Sequence, residues 1–141
     1  MTFSIHGLPV ARGIAIGRAV LVAPSRVEVT HYFIQPDEIK AEIERLRVAR
    51  DAVVDELQRM QAEMPKDMPP ELGAMLDVHL MLLQDETLAY EIRRWIKERL
   101  YNAEWALISQ LEVVVRQFDE MDDPYLRERK ADLEQVVDRV L

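Results

Sequence analysis

The sequence predicts a mainly α fold, an antiparallel helical bundle of two hairpins that carries a short N-terminal β portion. Apolar residues recur at three- and four-residue spacing through most of Ile39 to Val140, the period of an α-helix face. Prolines divide that stretch at Pro65 to Pro70 and again at Pro124. Residues 1 to 35 differ in kind: they hold every glycine except Gly73 and are rich in β-branched residues.

In the first 35 residues, Gly7-Leu8-Pro9 and Arg12-Gly13 are turn chemistry, and the run from Ile14 to Val22 has the length and composition of a strand. Ile5, Val10, Val27 and Val29 extend the β character on either side. Two or three short strands are marginal alone, so they are expected to pair with strands elsewhere; none is visible after residue 35.

After Gln35 the pattern turns helical. Pro36 sits where its missing N–H costs nothing, and Asp37 and Glu38 suit the positive end of a helix dipole. Ile39, Ile43, Leu46, Val53, Leu57, Met60 and Met64 then step by fours and threes, with Arg50 in one slot, forming a long packing seam that Pro65 ends. Pro70 opens the next helix, where Leu72, Met75, Leu76, His79, Leu80 and Leu83 share one face. Gln84-Asp85-Glu86 interrupts the apolar face, which Leu88, Ile92, Trp95 and Ile96 resume. This pattern fits either one bent helix or two. Asn102 is an N-cap candidate for a helix with Trp105, Ile108, Leu111, Val115 and Phe118 inward. Asp123-Pro124 opens the last one, with Leu126, Leu133, Val137 and Val140 inward and Arg127, Glu128, Lys130 and Asp132 outward.

The helix from Pro70 onward carries the candidate site. His79 lies along an apolar stripe, Met81 and Leu82 spill apolar character beyond it, and Asp85, Glu86 and Glu91 follow with no basic residue before Arg93. Unbranched methionine adapts to irregular partner surfaces, and an acidic rim steers a cationic partner toward them. This is the pattern of a docking surface more than of a reaction centre. The 26 acidic and 18 basic residues, a net charge of −8, disfavour nucleic acid and anionic membranes as partners. With no cysteine, thiol nucleophiles and zinc–thiolate sites are excluded. No phosphate-binding loop, HExxH, nucleophile elbow or ExxH pair is present, and His6, His31 and His79 have no ligand-spaced companions. The first twenty residues lack a signal-peptide pattern and no apolar run is long enough to span a bilayer, so a cytoplasmic chain is expected.

Three stretches together resemble enzyme I, the phosphoenolpyruvate–protein phosphotransferase of the bacterial sugar phosphotransferase system. Gly7 to Ala19, GLPVARGIAIGRA, is similar to the family's G-x-x-x-S-x-G-I-A-I-G-x-A, with Ala11 in place of the usual serine. His79 to Glu86, HLMLLQDE, is similar to its G-H-I-M-L-L-x-D-E helix, with Val78 in place of the frequent glycine. Asp122 to Asp132, DDPYLRERKAD, is similar to its D-D-x-Y-L-x-E-R-x-x-D.

The resemblance implies an amino-terminal portion of enzyme I. Residues 1–35 would be strands of an interrupted α/β phosphohistidine domain, and 36–141 a helical domain that binds the small histidine phosphocarrier protein HPr, with the start of the return to the α/β domain. It implies HPr contacts at Glu71, His79, Met81, Leu82, Asp85, Glu86 and Arg129. It assigns no catalytic residue and no metal ligand, because the family's phospho-accepting histidine lies in a G-G-x-x-S-H-x-A-type segment absent from this chain. The chain alone is then expected to be inactive, monomeric and without cofactor, whereas the full-length family member uses Mg²⁺ and dimerises through a carboxy-terminal barrel. Sugar-specific and nitrogen-related homologues are not distinguished. A second reading is a helical adaptor whose seam from Ile39 to Met64 pairs with another chain.

Overall fold

A computed structural model of the chain describes residues 7, 8, 12–20 and 28–141. Among these, five α-helices follow a single 3₁₀ turn at Pro36–Glu38: α1 (Ile39–Ala62), α2 (Pro70–Leu83), α3 (Glu86–Arg99), α4 (Ala103–Glu120) and α5 (Pro124–Val140). The connections are short. Helix α3 packs on α4, α4 on α5, α5 on α2 and α2 on α1, while α1 also touches α3, α4 and α5.

Four of the five helix starts have a local cause. The Gln35 N–H donates to Glu38 Oε2 at 2.7 Å, closing the turn that launches α1. Pro70 and Pro124 stand in the first turns of α2 and α5. The break near residue 85 separates two helices: Asp85 is extended, and its Oδ1 accepts the Leu88 N–H at 2.7 Å as the N-cap of α3. Asp123 does the same for α5, accepting from the Tyr125 N–H at 2.9 Å.

The turn from α3 to α4 is built differently from the sequence expectation. Asn102 occupies the N-cap position of α4, but its side chain makes no capping bond. It is 1% exposed and is spent on the preceding chain and on the Glu104 side chain instead. Its Nδ2 donates to the Thr30 carbonyl at 3.0 Å and to Glu104 Oε2 at 2.8 Å, and its Oδ1 accepts from the Tyr32 N–H at 3.3 Å. The first N–H of α4, at Ala103, is taken by Glu42 Oε2 of α1 at 2.7 Å. Leu100 just before it adopts the left-handed conformation, φ 57°, at a cost of about 1 kcal/mol for a residue with a side chain. There its carbonyl accepts the Ile34 N–H at 2.8 Å.

Two apolar clusters form the core. One joins Ile34, Ile92, Ile96, Ala103, Ala106, Leu107, Leu133 and Val137; the other joins Val53, Leu57, Leu76, Leu83 and Val136. Leu82 and Val140 pack against both. The α1 seam is consumed inside the bundle: Ile39, Ile43 and Leu46 pack on the first cluster, Val53, Leu57 and Met64 on the second. That leaves no seam for another chain, which removes the ground for the adaptor reading. Met60, 43% exposed, is the seam residue that stays out.

The expected strands differ. Residues 1–6, 9–11 and 21–27, with Ile5, Val10, Val22, Val27 and His6, lie outside the described residues. Residues 12–20 form no strand, and Ile14 and Ile16 are almost wholly exposed. A strand is held by a neighbour's backbone, and among the described residues none lies beside this segment; a lone antiparallel bridge joins Phe33 to Tyr101. Gly13, at φ 116°, does supply the turn its sequence promised.

The faces of α4 and α5 are rotated from the expectation. Helix α4 buries Ala103, Ala106, Leu107 and Gln110, leaving Trp105, Ile108, Leu111, Val115 and Phe118 half-buried. Gln110 is satisfied in the core by the Trp95 Nε1–H at 3.0 Å. On α5, Asp132, expected outward, turns toward α2.

Candidate docking groove

Val113, Val114 and Phe118 of α4 line a surface groove of about 840 Å³ against α3, to which Arg129 and Leu133 of α5 also contribute. Its apolar wall is Leu82, Leu88, Trp95, Val113 and Phe118. Asp85, Glu91, Glu98, Arg94 and Arg129 supply its polar edge.

The residues expected at a docking site fall into three groups. Leu82, Asp85 and Arg129 do line this groove. Met81 is 59% exposed in the last turn of α2 but is not part of the wall, and Glu86, at the start of α3, has an 81% exposed side chain beside a second, smaller cavity of about 170 Å³. Glu71 and His79 stand elsewhere. Glu71 is in the first turn of α2, ten residues and about 15 Å of helical rise before Met81.

His79 does not face outward as the resemblance implied. It is 3% exposed, and its Nε2 lies 3.5 Å from Asp132 Oδ1 on α5. Helix α2 is clasped by α1 and α5, so the stripe Leu76, His79, Leu83 points wholly into the bundle. Helical spacing places a residue on a stripe but does not say whether that stripe meets solvent.

The rim is also less acidic than the sequence order suggests. Glu91 and Glu98 each sit 3.2 Å from Arg94, one turn away on either side, and Glu86 lies 3.6 Å from Arg93. Arg94 holds the Glu98 carboxyl below its ordinary range through their hydrogen bond. Asp85 caps α3, so its charge serves local structure as well as the rim. Arg129 is held by Tyr125, whose hydroxyl accepts from its Nε at 3.0 Å and Nη2 at 2.8 Å, with the guanidinium 4.9 Å from the ring centre.

Trp95, Val113 and Phe118 were not singled out as site residues from the sequence. For Phe118 a signal was present in α4: an Ala-Ala-Leu-Gln line competes with a bulkier one for the core, and the bulkier line is left half-buried.

A family model described as the N-terminal part of PEP-utilising enzymes matches residues 6–129. The chain belongs to this family. Its relatives among characterised proteins are named phosphoenolpyruvate-protein phosphotransferase: one from Cupriavidus necator is 56% identical over 141 residues, one from Haemophilus influenzae 31% over 137, and one from Listeria monocytogenes 30% over 141. The alignments cover 100%, 97% and 100% of this chain but 24% of each relative, so the chain spans about a quarter of their length. Two solved structures share the fold. An enzyme I solution structure superposes with a TM-score of 0.75 at 26% identity, over 82% of this chain and 47% of that one. The N-terminal domain of a nitrogen enzyme I gives 0.71 at 27%, over 80% and 46%. Among the described residues, no helix is long and apolar enough to cross a membrane.

Proposed function

We propose that this chain is the partner-docking part of a phosphoenolpyruvate–protein phosphotransferase, and that its groove between α3 and α4 receives the phosphocarrier HPr in the cytoplasm. In the whole protein a phosphoryl group derived from phosphoenolpyruvate would pass from an enzyme histidine to the HPr histidine. The reading rests chiefly on one observation, an apolar groove of about 840 Å³ walled by Leu82, Leu88, Trp95, Val113 and Phe118 and edged by charge, in a chain that belongs to the PEP-utilising family. Met81 and Glu86 would extend the contact beyond its mouth.

The chain's own contribution would be positioning. Transfer between two histidines needs them held nearly in line and shielded from water, and a rigid groove on a helical scaffold supplies orientation without chemistry. The two histidines among the described residues are placed accordingly: His79 is sealed in the core, and His31 stacks on Trp105 with ring centres 5.0 Å apart. The Mg²⁺ of the full-length reaction has no candidate ligand set among the described residues, where no three His, Asp or Glu side chains are grouped to hold a metal. The mixed-charge edge, with most carboxylates already paired, suits a brief and salt-sensitive encounter.

Titrating HPr into the isotope-labelled chain tests this. Resonances of Leu82, Asp85, Phe118 and Arg129 should shift, and the shifts should weaken with added salt. Absence of any shift at millimolar protein would reject the proposal. Phosphoenolpyruvate with Mg²⁺ should leave the chain alone unphosphorylated, and a phosphohistidine in its mass spectrum would overturn the purely docking role.

A further inference from the structure

The core histidine of α2 is the polar group that the docking role leaves unexplained. His79 is 3% exposed and its Nε2 makes no hydrogen bond. A buried, unpaired ring nitrogen carries a desolvation penalty that native folds seldom retain without a return. The slot is otherwise apolar: Leu76 and Leu83 flank it along α2, and Val136 of α5 lies buried in the same cluster. Leucine or methionine would fill it at no polar cost, yet the chain keeps an imidazole facing a carboxylate.

That carboxylate reaches both ways. Asp132 Oδ1 is 3.5 Å from His79 Nε2, and its Oδ2 is 3.7 Å from Arg129 Nη1. Arg129 is gripped from the opposite side by the Tyr125 hydroxyl and lines the groove. Tyr125, Arg129 and Asp132 fall at i, i+4 and i+7 of α5, one face of that helix. The set therefore forms a line of close neighbours from the core of α2 to the groove, with Asp132 within 4 Å of both His79 and Arg129.

We propose that His79 is a positioning residue for docking: its Nε2–H orients Asp132, and Asp132 steadies the Arg129 guanidinium toward an acceptor oxygen of the partner. The inference rests on the groove being the docking site, but its first readout needs no partner. A carboxylate fixed by a histidine N–H on one oxygen offers the other in a set direction, and Arg129, a planar fork, is sensitive to that direction.

The test uses the whole chain. Long-range proton–nitrogen correlation should find the His79 proton on Nε2, with the ring signals moving in Asp132→Asn. The Arg129 Nε–H resonance should shift in His79→Leu and return toward the parent position in His79→Gln, whose amide can donate to Asp132. HPr affinity should fall about five-fold in His79→Leu and stay within about two-fold of the parent in His79→Gln. If His79→Leu does not fold, Asp132→Asn, at a partly exposed position, should show the same Arg129 shift and the same loss. An Arg129 resonance unmoved by Asp132→Asn, a proton found on Nδ1 alone, or a Gln variant no better than Leu would overturn the proposal. If the parent fails to bind HPr, the docking site is wrong, and the Arg129 shifts in the free chain still decide the role of His79.

Discussion

Asp85 is where the proposed docking role and a structural role fall on one side chain, and two substitutions pull them apart. Its Oδ1 accepts the Leu88 N–H at 2.7 Å and caps α3, while its carboxylate stands on the edge of the groove. Asp85→Ala removes cap and charge together. Losing the cap costs about 1 kcal/mol, and the lost charge at the helix N-terminus adds roughly 0.5 kcal/mol. Asp85→Ser keeps an oxygen for Leu88 and loses only the charge, so about 0.5 kcal/mol is expected. For a chain of this size the alanine variant should melt roughly 4–6 °C below the parent and the serine variant about 2 °C below it, read by circular dichroism. HPr affinity should respond alike in both, falling about three-fold at low salt and converging with the parent at high salt. Equal melting of the two variants would refute the cap as Asp85's contribution. A serine variant that binds as tightly as the parent at low salt would refute the electrostatic role.

Further outcomes follow from other contacts. Asn102→Ala removes three hydrogen bonds at a fully buried position and should cost about 3 kcal/mol in urea unfolding, with a change in the fluorescence of nearby Trp105. Leu57→Ala, at a wholly buried site, should cost about 3 kcal/mol by the same measurement. Phe118→Ala should lower stability by less than about 1.5 kcal/mol because the ring is half-exposed, yet weaken HPr binding more than any charge removal at the rim. Arg45 of α1 hydrogen-bonds Glu104 of α4 and holds its carboxyl below the ordinary value of 4.5. The stability from that pair should be fully present above pH 4.5 and lost as pH falls through the lowered folded value. Glu104→Gln should flatten this acid limb of the stability profile.

Helix existence was legible in the sequence because the punctuation is chemical and local. Pro36, Pro70 and Pro124 each sit in a first turn, Asp123 caps α5 as its position promised, and the polar trio at residues 84 to 86 marks a true break. Which face each helix buries was less legible. Spacing identifies a line of large apolar residues, but α4 packs tightly only by turning Ala103 and Ala106 inward, and small residues leave little mark on a hydrophobic pattern. The same ambiguity hid the orientation of His79 and the partner of Asp132, since both depend on a neighbouring helix. Caps supplied across the fold, such as Glu42 serving Ala103, have no local signature at all. The β reading of the first residues measured propensity, which becomes structure only beside another strand.

Leu82 belongs to three environments at once. It touches both interior clusters, walls the long groove and borders the small cavity between α1, α3 and α5. Whatever presses on the groove therefore pushes a wedge seated between two halves of the interior. Occupancy would be registered deep in the protein, as slower amide exchange along Leu57 and Ile96, without any helix having to move.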